Sequence, residues 1–150
     1  MFKKILIIFI IPIVYGCGYS PLYSKNGNKN INIEVFKSEG DQEINKYLLI
    51  DLKKYSGNEG RTFQLNINTN YSILDNSKNL EGSISSYQLI AVSTFEIKSE
   101  TFDKIITIQE KIIIKNLGDN LEKRNYEKSI KRNFANSISN KLILQLSSIQ

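Results

Sequence analysis

The side chain in this 150-residue chain best placed for covalent chemistry is its single thiol, Cys17. It follows Ile13-Val14-Tyr15-Gly16 directly and precedes Gly18. Upstream stand the parts of a secretory signal: a positive start at Lys3 and Lys4, an apolar run over residues 5–14, and small Gly16 at the cut site. A lipoprotein signal peptidase needs an aliphatic residue three before the cysteine and a small one just before it. Val14 and Gly16 supply these, while Tyr15 is bulkier than the usual Ala, Ser or Thr between them. The chemistry implied is acylation: the thiol takes a diacylglycerol, and the amino terminus freed by cleavage takes a third acyl chain.

Two plainer readings compete. An uncleaved membrane helix needs roughly 20 residues, whereas this run is about a dozen and Pro12 interrupts it. A buried structural cysteine would pack as a small hydrophobe. A lone thiol directly after such a segment fits acylation instead. Gly18, not Asp, follows the cysteine, which in enteric-type sorting favours export to the outer membrane. The expected organisation is a lipoprotein signal peptide over 1–16, a lipidated tether over 17–30 and one domain over 31–150.

The remaining inventory excludes much. There is no histidine, and Cys17 is the only cysteine. Once acylated, it leaves no thiol, imidazole or disulfide, so zinc sites and His-activated nucleophiles are absent. The acidic residues are scattered, without a calcium-loop pattern or a tight carboxylate cluster, and no Gly-rich phosphate loop occurs. No enzyme activity, metal or cofactor is expected. Loss of residues 1–16 leaves about 134 residues, enough for a single core, and lowers the formal charge from +5 to about +3 as Lys3 and Lys4 depart. The abundance of Ile, Lys and Asn is what AT-rich coding produces, so asparagines carry little functional weight.

One group of charges is concentrated. Lys123, Arg124, Lys128, Lys131 and Arg132 fall within ten residues. They read as a solvated helix face, as a contact for anionic lipid or lipopolysaccharide phosphates, or, least in keeping with an exported chain, as an RNA surface.

The elements that must position these residues follow from periodicity. Ile31, Ile33 and Val35 alternate with Asn32, Glu34 and Phe36, predicting a first strand broken by residues 38–40. Residues 41–55 predict a helix with Ile44, Tyr47, Leu48, Leu52 and Tyr55 on one face and Asp41 or Ser38 as cap. Leu49 and Ile50 widen that face, so a deep seat in the core is expected. Residues 61–72 alternate, with Phe63, Leu65, Ile67 and Thr69 on the dry side. Residues 83–98 continue in kind, after a turn over 76–82. Residues 101–116 form a further strand after a tight turn at Ser99-Glu100, with a bulge or break at Gln109-Glu110-Lys111 that leaves open one strand or two. A linker over 117–120 leads to a helix over 122–148. Tyr126, Ile130, Phe134, Ile138, Leu142, Leu146 and Ile149 make its apolar face. The fold class expected is α+β, a two-layer sandwich of order β-α-β-β-β-α. Its four-stranded, mainly antiparallel sheet carries both helices on one face.

Cys17-Gly18-Tyr19-Ser20-Pro21-Leu22-Tyr23 resembles the mature start of the LPS-assembly lipoprotein family (LptE), whose members often begin Cys-Gly-aromatic-x-Pro-Leu-Tyr, particularly in alphaproteobacteria. Asn125-Tyr126-Glu127-Lys128 and the finish Leu142-Ile143-Leu144-Gln145-Leu146 are similar to that family's last helix, and the element order matches over the whole mature chain. The loops depart from the family in being short and Asn-rich. The resemblance implies a lipoprotein on the periplasmic face of the outer membrane that plugs the β-barrel translocon LptD, helps it assemble and engages lipopolysaccharide. Basic candidates for lipopolysaccharide contact are Lys98, Lys104, Lys111, Lys128 and Arg132. The alternative is another envelope binding module, such as an auxiliary of a lipid or ABC-type transport system.

Overall fold

Phe63, Leu65, Ile67 and Thr69 are buried, while Gln64, Asn68 and Asn70 between them stay exposed. This period of two turns one side of the strand to the core and the other to water. The same pattern recurs through four strands: β1 (Ile31–Gly40), β2 (Arg61–Lys78), β3 (Ile84–Lys98) and β4 (Asp103–Lys115). A helix α1 (Gln42–Leu52), extended by a short 3-10 turn (Lys53–Tyr55), joins β1 to β2. A second helix α2 (Asn120–Ser147) closes the chain. The computed structural model describes residues 31–101 and 103–149. Cys17, the signal segment and the tether lie outside them.

The sheet order is β1-β2-β3-β4, with β1–β2 parallel and the other two pairs antiparallel. Both helices cover one face, giving the expected β-α-β-β-β-α two-layer α+β domain. Inward residues Phe63, Leu65, Leu89, Ala91, Phe95 and Ile97 meet Ile44, Leu48 and Leu52 of α1 and Ile138, Leu142 and Leu146 of α2 in one core. Each large side chain so buried contributes about 1.5–3 kcal/mol. Two polar residues inside that core satisfy each other: Thr69 Oγ1 and Ser93 Oγ are 2.8 Å apart.

Several expectations need correction. Leu49 and Ile50 are not deeply seated; they are 37% and 53% exposed. The α1 face that packs is Ile44, Asn45, Leu48 and Leu52, and at 100° per residue the next two positions turn away from the sheet. No bulge or break occurs at Gln109 to Lys111, because β4 pairs residue for residue with β3 from Asp103 to Lys115. It is one strand. The irregularities fall instead at Val35/Lys37, at Asp75/Ser77 and at Ser77/Lys78.

Strand β1 is not broken over residues 38–40 but runs to Gly40, and β2 runs to Lys78, into the turn expected at 76–82. Asp41, not Ser38, caps α1, its Oδ1 accepting from the Ile44 N–H at 2.8 Å. Tyr126 is exposed rather than part of the buried stripe of α2.

Gly40 makes the β1–α1 corner. Its φ of +92° favours glycine, and a Cβ there would stand 1.9 Å from the Thr69 carbonyl oxygen. That close approach brings the Asp41 N–H within 2.8 Å of the same carbonyl.

Candidate interaction surface

The five clustered cations sit on the N-terminal half of α2, where the sheet projects beyond the end of β1. Asp119 begins that helix, its carboxylate accepting from the Leu121 and Glu122 N–H groups at 2.6 and 3.1 Å. At 1.5 Å per residue the 28-residue helix extends about 42 Å.

The structure divides the cluster in two. Lys131 is spent on the body. Its Nζ lies 2.9 Å from Asp41 Oδ2, 3.6 Å from Glu43 and 3.8 Å from Glu127, and 4.4 Å above the Tyr71 ring. Burial pulls the Lys131 ammonium down, but the hydrogen bond and charge of Asp41, with Glu127 and Glu43, outweigh it and hold its pKa above the usual value. Burial first, and then the Glu127, Asp41 and Glu43 carboxylates, push the Tyr71 phenol well above its ordinary range. Lys123 likewise lies 4.4 Å over the Tyr87 ring.

Arg124, Lys128 and Arg132 are different. They are exposed and spaced i, i+4, i+8, so they form one stripe about 12 Å long. Arg132 lies 5.9 Å over the Tyr47 ring, at the outer limit of a cation–π contact. Among the described residues, neither Arg124 nor Lys128 has an acidic partner within 4.0 Å. Such a stripe can attract phosphate or carboxylate groups by charge-assisted contacts.

The sequence candidates do not converge. Lys128 and Arg132 share this stripe. Lys98 and Lys104 sit across the β3–β4 turn but on opposite faces, Lys98 opposite Asp103 and Lys104 opposite Ile97. Lys111 is opposite Ile90, seven positions along β4 from Lys104, or about 24 Å, on the sheet face opposite α1 and α2. Arg124, which the sequence placed in the basic cluster but not among the five lipopolysaccharide candidates, joins Lys128 through its i, i+4 spacing.

The sheet face opposite α1 and α2 is mostly polar. Gln64, Asn66, Asn68, Asn70 and Ser72 run along β2, beside Thr94 and Glu96 of β3 and Thr107 and Gln109 of β4. Asn66 bonds Glu96 at 3.2 Å, and Thr94 pairs with Thr107 at 3.3 Å. Among the described residues, no helix is long and apolar enough to cross a membrane.

These elements define a small α+β sandwich with a polar sheet face and a basic helix stripe. Solved structures share that fold. Rare lipoprotein B from Shewanella oneidensis matches with a TM-score of 0.55 and 14% identity, over 76% of this chain and 96% of its own. Lipoprotein B from Nitrosomonas europaea matches with a TM-score of 0.56 and 10% identity, over 86% and 94%. A candidate lipoprotein from Caulobacter crescentus matches at 0.51 and 11% identity, over 81% and 90%. At these identities the likeness is one of fold. No protein-family model and no curated protein sequence matches the chain.

Proposed function

We propose that this chain is a non-catalytic envelope lipoprotein, anchored through Cys17 at the periplasmic face of the outer membrane. There it plugs and helps assemble an LptD-like β-barrel and assists lipopolysaccharide transport to the cell surface. The observation that carries the reading is a coincidence on one chain. A cysteine placed for acylation precedes a domain with the fold of solved lipoproteins, including rare lipoprotein B. The polar sheet face supports it, because amide and hydroxyl side chains suit the wet interior of a wide barrel. The free cations on α2 supply a contact for lipid phosphates. A lipid anchor raises the local concentration of the domain near a membrane-embedded partner.

The test is affinity purification from separated inner and outer membranes. Recovery with a large β-barrel protein from the outer membrane is expected. Recovery alone from that membrane would sink the plug reading, and retention in the inner membrane with a transporter would favour an auxiliary transport role.

A further inference from the structure

Strand β4 ends the sheet, and among the described residues no strand pairs with its outer edge. It pairs with β3 residue for residue over Asp103–Lys115, without the bulge that commonly blunts an edge. The Asn116 N–H bonds the Ser85 carbonyl at 2.9 Å in the same register. Antiparallel pairs alternate between bonded and non-bonded, so the even-numbered residues of β4 spend their backbone groups on β3. The odd-numbered ones, Lys111, Ile113 and Lys115 among them, turn N–H and C=O to the edge. Their side chains share the sheet face opposite the helices.

The C-terminal end of this edge has a distinct chemistry. Lys111 and Lys115 are exposed and flank Ile113, itself 59% exposed. Among the described residues, neither lysine has an acidic partner within 4.0 Å. On the helix side a cleft of about 630 Å³ adjoins the edge, lined by Ile114, Leu117 and Tyr126 together with Glu122 and Asn125. Ile112, which points to that side, is 39% exposed. We propose that this end of β4 receives an extended peptide segment of a partner protein as an added strand. The pleat dictates the segment's chemistry. Residues opposite Lys111 and Lys115 carry carboxylates, while those opposite Ile112 and Ile114 are apolar and enter the cleft. The pattern recognised is acidic-apolar-x-apolar-acidic.

Charge selects this occupant over two others. Residues 1–30 carry Lys3, Lys4, Lys25 and Lys29 and no Asp or Glu, so that stretch offers the edge no carboxylate side chain. A second copy joined edge to edge about Ile113 would set Lys111 opposite Lys115 twice, and like charges directly opposite one another destabilise a strand pair. Lysines on an edge strand therefore discourage self-association and admit an acidic strand. The proposal depends neither on the lipid anchor nor on lipopolysaccharide.

Amide NMR and hydrogen exchange on the full chain in zwitterionic detergent test this, with the peptide Thr-Glu-Leu-Thr-Val-Glu-Thr set against Thr-Lys-Leu-Thr-Val-Lys-Thr. The acidic peptide should slow exchange at Lys111, Ile113 and Lys115 about tenfold and leave Ile112 and Ile114, already bonded to β3, within about twofold. K111E/K115E should bind the acidic peptide about tenfold more weakly and prefer the basic one. Equal effects on odd and even amides, no effect on either, or the same affinity for both peptides would overturn the proposal. Edge amides already protected without peptide would assign the edge to the chain itself, or to a second copy where dilution removes the protection. Either result also overturns it.

Discussion

Lys131 Nζ lies 2.9 Å from Asp41 Oδ2, and this contact ties the middle of α2 to the first turn of α1. The other Asp41 oxygen caps α1, while the Asp41 N–H binds the Thr69 carbonyl of β2. One residue therefore connects two helices and the sheet. Lys131→Met removes the cation and leaves Asp41, Glu43 and Glu127 facing one another. The pair is mostly shielded, so the cost lies between those of exposed and buried ion pairs, about 2 kcal/mol. Thermal unfolding should show a fall in Tm of roughly 5–10 °C. Lys128→Met, on the free stripe, should stay within about 0.5 kcal/mol of the parent.

Alkali should weaken the same junction. Lys131 and Tyr71 both have pKa values raised in the folded chain above the ordinary 10.5 and 10.0. Above about pH 10 the unfolded chain releases these protons first, so the folded state holds more protons and stability falls as pH rises. The contribution of Lys131 is fully present below its unfolded pKa and is lost as pH climbs through the folded one. Urea denaturation at pH 8 and pH 11 should therefore show the gap between the parent and Lys131→Met narrowing. A gap of unchanged size would remove Lys131 as its source.

Gly40→Ala should be among the costliest single substitutions. The new Cβ would meet a backbone oxygen at 1.9 Å, at a φ of +92° that disfavours any side chain. Neither can relax without moving Asp41 and its cap. We expect a loss of about 3 kcal/mol or more. Gly57→Ala is the control: its φ is +76° but nothing lies within 4 Å of the added Cβ, so it should cost about 1 kcal/mol. Denaturant midpoints distinguish the two.

Alternation along β2 and β3 and the helical spacing of Ile130, Phe134, Ile138 and Leu142 made the layers legible in the sequence, since burial enforces both periods. The misreading at Gln109 to Lys111 has a tertiary cause. Glu110 points inward, where polarity looks like an interruption, but Ser137 and Lys141 of α2 reach it there. Leu49 and Ile50 were misplaced because hydrophobicity alone does not say where a sheet ends. The surface was least legible. Lys128 and Lys131 are three residues apart and chemically alike, and only the carboxylates of Asp41 and Glu43 and the Tyr71 ring, brought by α1 and β2, separate the structural cation from the one on the exposed stripe.

That separation yields a prediction about ligand contact. If the α2 stripe meets lipopolysaccharide, neutralising it should weaken binding where neutralising the scattered strand cations does not. Each cation near an anionic lipid surface is worth about 1 kcal/mol, so R124Q/K128Q/R132Q should lose on the order of a hundredfold in affinity for lipopolysaccharide. Its salt dependence should also flatten as ionic screening loses its target. Lys98, Lys104 and Lys111 are spread over two faces and about 24 Å of strand, so K98Q/K104Q/K111Q should change affinity less than threefold. Surface plasmon resonance on immobilised lipopolysaccharide at two salt concentrations measures both. Equal losses from the two triple variants would reduce the attraction to net charge alone. A larger loss from the strand set would move the contact to the sheet.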